Sequence, residues 1–271
     1  MINLLMSEMR RALHRRVVWV LIALALLGTG ILGLVAFFDS AGRSVADLGK
    51  EGTHPALMVD WWVSGGGDGI LMIAGLPLLL GGVFGGASVV GAEWRAGTVT
   101  TALTWEPRRL RLHVARMTSA FLLAAVIAFA LEGLFLVATL PAVLTHGSTA
   151  GTDSGWWIGL LGAMARIAVT TGVAAVLAAS LATLGRGTTF ALGATFAWLA
   201  VIENLVRGWK PGLQTHLIGD NLAIVITWAQ LDGAAFTRDA PVAAVAIVAY
   251  CGSIAVAAAA SFVRRDVVGA G

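Results

Sequence analysis

The sequence predicts an all-α polytopic membrane protein, and three observations support this prediction. The 271-residue chain is 58% hydrophobic and only 12% charged, whereas a typical soluble domain carries about 25% charged residues. Its mean hydropathy is +0.86. The apolar residues occur in runs of about 20, the length that crosses a hydrocarbon core about 30 Å thick. These features exclude an ordinary soluble enzyme, a disordered tail and a disulfide-rich secreted scaffold.

Six apolar runs, separated by charged residues or by Pro and Gly, are long enough to be transmembrane helices. We place them at 17–38, 70–91, 117–140, 156–184, 188–206 and 242–263. The first has no small-residue cleavage site before Asp39, so we expect a retained span rather than a cleaved signal peptide. Because no linker, repeat or low-complexity tract separates the spans, we expect a single transmembrane domain over 1–271.

The basic residues predict the orientation of the spans. An even number of spans puts both termini on one side of the membrane, which would carry twelve arginines against five basic residues on the other side. The twelve are Arg10, Arg11, Arg15, Arg16, Arg95, Arg108, Arg109, Arg111, Arg116, Arg186, Arg264 and Arg265. By the positive-inside rule, both termini are cytoplasmic. Two tryptophan pairs, Trp61/Trp62 and Trp156/Trp157, would then lie at the outer interface.

The composition also bears on the location and on nucleic-acid partners. Only two of the 18 basic residues are lysine, which is typical of a GC-rich bacterial genome, so we expect a bacterial plasma (inner) membrane. The net charge of +3 reflects the sorting of arginine by membrane side and indicates no nucleic-acid partner.

Two shorter segments are predicted to lie at the membrane surface. Within the N-terminal segment 1–16, a helix over 2–16 gathers its large apolar residues on one third of the helical wheel, which predicts an interfacial helix on the cytoplasmic side. These residues are Ile2, Leu5, Met6, Met9 and Leu13. The outer loop 207–241 contains the apolar stretch Leu222–Leu231, between Asp220 and Asp232. Ten residues are too few to span, so this stretch predicts an outer re-entrant or interfacial helix.

The motifs of membrane-embedded enzymes and of ATP-binding proteins are missing from the sequence. The glycine-rich run at 81–91 is not followed by Lys-Ser/Thr, so it is no phosphate-binding loop. Instead, Gly82 and Gly86 form a small-xxx-small face for close helix packing. All five histidines lie outside the spans, and Ser88 has neither the glycine nor the membrane histidine of an intramembrane serine protease. We therefore predict no catalytic residue, no metal site and no cofactor bound by this chain; the lone Cys251 has no disulfide partner.

Three ionisable residues, Glu132, Arg166 and Glu203, lie within predicted spans, where an unpaired charge costs at least about 2.5 kcal/mol at the bilayer centre. Glu132 and Arg166 lie roughly 12 and 15 Å from the outer ends of consecutive spans. An antiparallel hairpin would bring them to the same depth, so we favour a structural ion pair over a polar lining of a substrate path. Glu203 lies within a turn of the outer boundary, which favours a carboxylate solvated at the interface.

The most distinctive stretch is the cytoplasmic loop at 92–116. Thr98 is suited to cap a short helix that must end before Pro107, and Pro107 is suited to the first turn of the next helix. By itself, this pattern is equally compatible with a positively charged loop that only sets the topology.

In this loop the chain resembles the permease subunits of ABC-2-type ABC transporters. These commonly carry a Glu, three residues, Gly-Thr and then a Leu, with a later Pro that is followed by Arg and Lys. The matching residues here are Glu93, Gly97, Thr98, Leu103, Pro107 and Arg109. Arg116 stands where a Lys is usual and keeps the charge. The N-terminal helix, the six spans and the element between spans five and six also match this architecture.

The resemblance implies a permease subunit of an ATP-driven exporter, with no enzymatic activity of its own. Its partners would be two ABC ATP-binding subunits, which hold ATP and Mg, a second permease copy or paralogue, and membrane lipids. A coupling helix at about 94–105 would be received by the ATP-binding subunit. The residues expected at this junction are Glu93, Trp94, Arg95, Gly97, Thr98, Leu103, Pro107 and Arg109. The expected cargo is hydrophobic or amphipathic, as in multidrug efflux: a drug, a lipid-like molecule or a peptide.

Two other functions stay open at this point. An ion- or proton-coupled secondary transporter would use Glu132, Arg166 and Glu203 at one central site and would need no ATPase. A membrane scaffold or immunity subunit would transport nothing. Within the exporter hypothesis, both a homodimer and a heterodimer are open.

Overall fold

The computed structural model describes residues 1–50, 52–63, 69–230 and 236–264, and the regular elements in this part of the chain are helices. The α-helices are α1 Ile2–Leu13, α2 Arg16–Ser40, α3 Val45–Leu48, α4 Ile70–Arg95, α5 Thr98–Trp105, α6 Arg109–Thr145, α7 Ser154–Gly185, α8 Thr188–Phe196, α9 Glu203–Trp209, α10 Ile218–Thr227 and α11 Ala240–Arg264. A π-helical segment, Ala197–Ile202, joins α8 to α9. Short 3₁₀ turns occur at Met58–Trp61 and Pro211–His216.

Among the described residues, six helical segments are long and apolar enough to cross a membrane. They are α2, α4, α6, α7, the continuous segment Thr188–Trp209 and α11. This confirms an all-α, multi-pass membrane architecture with six candidate spans. The helices extend past the apolar runs, most clearly in α6, which begins at Arg109 rather than at residue 117. Hydropathy marks only the apolar part of a helix, whereas the backbone hydrogen bonds continue through the polar turns beside it.

The centre of the bundle is a close contact between α4 and α7. A Cβ atom added at Gly82 would lie 2.7 Å from the carbonyl oxygen of Thr171, and one added at Gly86 would overlap the backbone of Ala175. Positions in contact increase together along both helices, so α4 and α7 run parallel. The predicted small-xxx-small face is therefore confirmed: glycine at these two positions lets the helix backbones touch.

The two ends of the described chain meet at one end of this bundle. Leu4 of α1 and Phe262 of α11 pack in one cluster with Val99 of α5 and Leu112 of α6. We call this the terminal end of the bundle, and the opposite one the loop end. The common position of the termini agrees with an even number of spans. Arg265, one of the twelve arginines used to predict the orientation, lies outside the described residues.

Two tryptophans, Trp61 and Trp156, are buried at the loop end of the bundle. The indole N–H of Trp61 donates to the Pro55 carbonyl oxygen at 2.9 Å, and that of Trp156 donates to the Trp62 carbonyl oxygen at 3.1 Å. The rings of Trp61 and Trp156 therefore pack inside the protein and do not face lipid headgroups, whereas Trp157 is exposed.

The apolar stretch predicted at 222–231 contributes to α10, a ten-residue helix that begins and ends earlier than expected. Ile224 of α10 packs against Ala240 and Ala243 of α11. Leu231 and Asp232, which were included in that prediction, lie outside the described residues.

Substituting two neighbouring glycines of α4 tests the contact with α7. We expect Gly86→Ala to lower the free energy of unfolding by about 1–3 kcal/mol, because its methyl group would overlap the backbone of Ala175. Gly85→Ala is the matched control: its Cβ meets nothing within 4 Å, so it should leave stability unchanged or raise it slightly. Denaturant unfolding in detergent measures both, and equal stabilities would contradict the proposed contact.

Candidate functional site

Helix α1 packs on the bundle through a side that adjoins its apolar stripe. Glu8 and Ala12 are buried, whereas Ile2 and Met6 are 73% and 53% exposed. Ala12 packs in a cluster that includes Met117 of α6. The apolar stripe predicted from the helical wheel is therefore only partly covered: Leu5, Met9 and Leu13 are half-buried, and the side that carries a carboxylate faces inward.

Glu8 belongs to a group of charges at the terminal end, which we call the ion cluster: Glu8, Arg11, Arg15, Glu93 and Arg116. Glu8, Glu93 and Arg116 are buried in it, Arg15 is half-buried and Arg11 is exposed. Glu8 lies 3.0 Å from Arg11 and 3.6 Å from Arg116. Glu93 lies 3.1 Å from Arg15 and 3.6 Å from Arg11, and it makes its shortest contact with Arg116. The ion cluster therefore joins α1, the junction of α1 with α2, the end of α4 and the beginning of α6.

Burial opposes charge in the ion cluster, and the neighbouring ions compensate for it. Burial raises the pKa of Glu8 above its ordinary value, and the guanidinium groups of Arg116 and Arg11 oppose this rise. Burial likewise lowers the pKa of Arg15, and the carboxylate of Glu93 opposes that shift. Because the side chains of Arg116 and Glu93 are only 3% and 6% exposed, removing either one would leave its partner as an undercompensated buried charge.

A short turn after the ion cluster connects α4, which ends at Arg95, to α5, which begins at Thr98. Gly97 has φ +68°, a left-handed conformation that favours glycine, and it occupies the capping position of α5. The prediction that Thr98 caps this helix is wrong, because Thr98 is already the first helical residue. Pro107 lies two residues before α6 rather than in its first turn.

Helix α5 has one docked face and one open face. Val99 and Ala102 are buried in the cluster at the terminal end. Thr101 and Thr104 are exposed on the other face, and Trp105 is 86% exposed. An exposed tryptophan on an anchored helix is unusual, since tryptophan is enriched in the binding hot spots of interfaces.

The structure brings the eight predicted junction residues into one region, between the end of α4 and the beginning of α6. Arg95, Thr98 and Pro107 are exposed there, and Trp94, Gly97, Leu103 and Arg109 are half-buried. Glu93 differs from the other seven, because its side chain points into the ion cluster and is covered. It holds the end of α4 against α1 and α6 and presents almost no surface to a partner.

Trp94 and Arg109 tie this region to neighbouring helices. The guanidinium group of Arg186, between α7 and α8, lies 5.5 Å from the ring centroid of Trp94. Arg109 donates to the Val263 carbonyl oxygen of α11 at 3.4 Å.

Sequence reasoning missed the ion cluster as a unit. Arg11 and Arg15 counted as topology signals, Arg116 as a topology signal and as a motif position, and Glu8 received no role. One signal was present: Glu8 is the only acidic residue of α1, and it stands three positions before Arg11, a spacing that lets the two side chains pair. Their joint contact with Glu93 depends on the tertiary fold.

The predicted ion pair between Glu132 and Arg166 does not form. Arg166 donates to the Ile226 carbonyl oxygen of α10 at 3.2 Å and lies 5.4 Å from the ring centroid of Trp228. Glu132 is fully buried, and its carboxylate has no hydrogen-bond partner among the described residues. Depth was estimated from the helical rise, but each residue also rotates the side chain by about 100°, so equal depth does not imply that two side chains face each other.

The prediction that Glu203 is solvated at an interface is also wrong. Glu203 is 0% exposed. It accepts hydrogen bonds from the indole N–H of Trp198 at 3.0 Å and from the backbone N–H of Gly219 at 3.0 Å. It also pairs with Arg207 at 3.2 Å, and Arg207 pairs with Asp220. This network fastens α9 to the beginning of α10.

A cavity of about 1130 Å³ lies between α4, α7, α8, α9, α10 and α11. Most of its wall is apolar, including Leu79, Leu177 and Ile254, and Glu203 and Arg207 stand on its polar part. Pockets of this kind, apolar with a few polar groups, are typical of small-molecule sites. Within the described part of the chain, no three His, Cys, Asp or Glu side chains gather as metal ligands.

A scan of the chain against protein-family models finds no match, and a search among curated proteins finds none either.

A charge-removal cycle tests the ion cluster. We expect Glu93→Met to lower the free energy of unfolding by about 3–5 kcal/mol, because it leaves Arg116 undercompensated in a buried position. The double variant Glu93→Met with Arg116→Met should recover a large part of this loss. Thermal or denaturant unfolding in detergent measures both, and a single variant as stable as the parent would contradict the cluster's structural role.

The raised pKa of Glu8 predicts a pH dependence of stability. Because the folded chain holds the Glu8 proton more tightly than the unfolded chain does, the contribution of Glu8 to stability is present below its ordinary pKa of 4.5 and is lost as the pH rises through the raised value. Glu8→Gln removes this titration. The difference in melting temperature between parent and variant should therefore change with pH above 4.5 in the direction that favours Glu8→Gln, and a constant difference would contradict the assignment.

Proposed function

We propose that this chain is the permease subunit of an ATP-driven exporter of the ABC-2 type. It would lie in a bacterial plasma membrane with both termini in the cytoplasm, and it would work as a dimer with two separate ATP-binding subunits, which hold ATP and Mg and carry the ATPase activity. The observation that carries the proposal is α5: one of its faces is open, and the end of α4 that leads into it is held by the ion cluster.

The physical argument concerns the transmission of force. A partner can move membrane helices as rigid bodies only if it binds an element that is firmly attached to those helices. The ion cluster joins the end of α4, which leads into α5, to α1 and α6, and Val99 and Ala102 pack the inner face of α5 at the terminal end. Trp105 and Thr101 then offer a surface that an ATP-binding subunit would receive.

The other elements fit the same arrangement. With its exposed stripe of Ile2 and Met6, α1 would lie as an interfacial helix on the cytoplasmic surface, where anionic headgroups attract its arginines. The short helix α10 would be the outer re-entrant element. The cavity of about 1130 Å³ has the size and apolar wall expected for a hydrophobic or amphipathic cargo such as a drug, a lipid-like molecule or a peptide.

The alternative of a proton- or ion-coupled secondary transporter has less support. Its three charged residues do not share a site: Arg166 bonds to α10, Glu203 is engaged at the beginning of α10, and Glu132 faces a different cavity. A relay would need to connect these separate environments.

The first experiment is co-purification of the tagged chain from its native membrane in mild detergent. We expect an ATP-hydrolysing subunit to accompany it. If the chain purifies alone and moves solute under a pH or ion gradient, the exporter proposal fails.

A matched pair of tryptophans then tests the role of α5. We expect Trp105→Ala to reduce the recovery of the ATP-binding subunit at least tenfold, since exposed aromatic anchors carry on the order of 2 kcal/mol in interfaces. Trp209→Ala is the control, because Trp209 is 82% exposed at the end of α9. Neither substitution should change the melting temperature. Equal recovery with both variants would contradict the assignment of α5. Glu93→Ala is a poorer probe, because it would also unbalance the ion cluster.

A further inference from the structure

A second cavity, of about 400 Å³, lies between α2, α4 and α6. Its wall is almost wholly apolar, and it includes the aromatic rings of Phe84 and Phe135. Leu24 and Leu80 also line it and are 59% and 39% exposed. The cavity therefore opens to the outside of the bundle, where a spanning helix meets lipid. We call it the α2/α4 cavity.

Two polar side chains of its wall lack partners. Both carboxylate oxygens of Glu132 and the hydroxyl of Thr171 are buried without a hydrogen bond to any described residue. The contrast with the next residue is informative, because the hydroxyl of Thr170 donates to the Arg166 carbonyl oxygen at 2.8 Å. Buried polar groups are nearly always paired. The unpaired carboxyl group of Glu132 in the wall of a cavity therefore indicates a missing partner.

The character of the missing partner follows from the wall. The two oxygens of Glu132 and the hydroxyl of Thr171 accept hydrogen bonds, and no Lys, Arg or His is among the described residues that line the cavity. A buried carboxylate without a counter-ion is strongly unfavourable, whereas a bound cation supplies both charge and hydrogen bonds. The remaining wall of leucine, glycine and phenylalanine suits an apolar body, to which the two aromatic rings add an attraction for a cation.

We propose that the α2/α4 cavity binds lipophilic amines, with the protonated amine at Glu132 and the apolar body among the side chains of α2, α4 and α6. The oxygens of Glu132 are covered in the empty cavity, so a side-chain rotation accompanies binding. The ligand enters from the lipid, in which such amphiphiles concentrate. The inference concerns binding by the isolated chain and is independent of the proposed transport function.

The test is saturable binding of radiolabelled 1-adamantylamine to the full chain in lipid nanodiscs, with empty nanodiscs subtracted. This probe joins one protonated amine to a compact hydrocarbon body. The neutral analogue 1-adamantanol has the same body and no charge. We expect saturable binding of the amine and at least about tenfold weaker competition by the alcohol. The absence of saturable binding, or equal competition by the alcohol, would overturn the proposal.

Substitution of Glu132 localises the site. We expect Glu132→Gln to weaken binding of the amine at least about 30-fold, which corresponds to the loss of about 2 kcal/mol for one member of a buried charge pair. Thr139→Val is the control on the same helix, because this buried hydroxyl already donates to the Leu136 carbonyl oxygen at 2.9 Å and does not line the cavity. Unchanged binding by Glu132→Gln would overturn the proposal.

Filling the cavity provides a test that does not alter the charge. A Cβ atom at Gly85, which lines the cavity, meets nothing within 4 Å, so Gly85→Leu places its side chain in the empty space without disturbing the contact of α4 with α7. We expect this variant to keep the parent's melting temperature and to lose amine binding at least about tenfold. Gly193→Leu is the control: its Cβ is equally open, but it lies on α8, away from the cavity. Equal binding by both variants would place the amine elsewhere and overturn the proposal.

Discussion

The rest of the structure depends on the close approach of α4 to α7. Gly82 and Gly86 allow the two backbones to touch, and in a lipid environment such van der Waals packing replaces the hydrophobic effect as the force between helices. This contact determines which residues of α4 face outward. Gly85 and Phe84 turn toward the α2/α4 cavity, and the end of α4 is carried to the terminal end of the bundle, where Glu93 meets the arginines of α1 and α6.

The ion cluster is the second organising contact, and its energetics differ from those of the glycine face. A buried ion pair contributes little net stability compared with an apolar pair of the same shape, but losing one partner is costly. Its effect is therefore mainly on position: the contact of Glu8 with Arg116 favours the observed arrangement of α1 against α6, in which both charges are paired. In the proposed exporter, the same specificity would keep α5 from shifting when a partner engages its open face.

The three charged residues of the spans differ in how their polar groups are paired. Glu203 is satisfied by backbone and side-chain donors, and Arg166 is satisfied by a backbone carbonyl and an aromatic ring. Glu132 alone keeps both oxygens unpaired within the described structure. A charge in a membrane helix is thus a poor guide to function until its neighbours are known, because pairing within the protein and pairing with a ligand both offset the same desolvation cost.

The sequence by itself determined the number of spans, their order and the small-residue face of α4, because hydropathy and glycine spacing are properties of the local chain. It also placed the short helix between the second and third spans. Only the tertiary structure decided which side chains meet. Glu132 and Arg166 have similar depth but face different neighbours, and Glu203 is enclosed by the beginning of α10. Glu8 and Glu93, which are distant in sequence, share Arg11 and Arg116. The physical reason is that the helical rise gives depth from a residue count, whereas facing depends on how each helix is rotated against its neighbours, and that rotation is set by packing among residues distant in sequence.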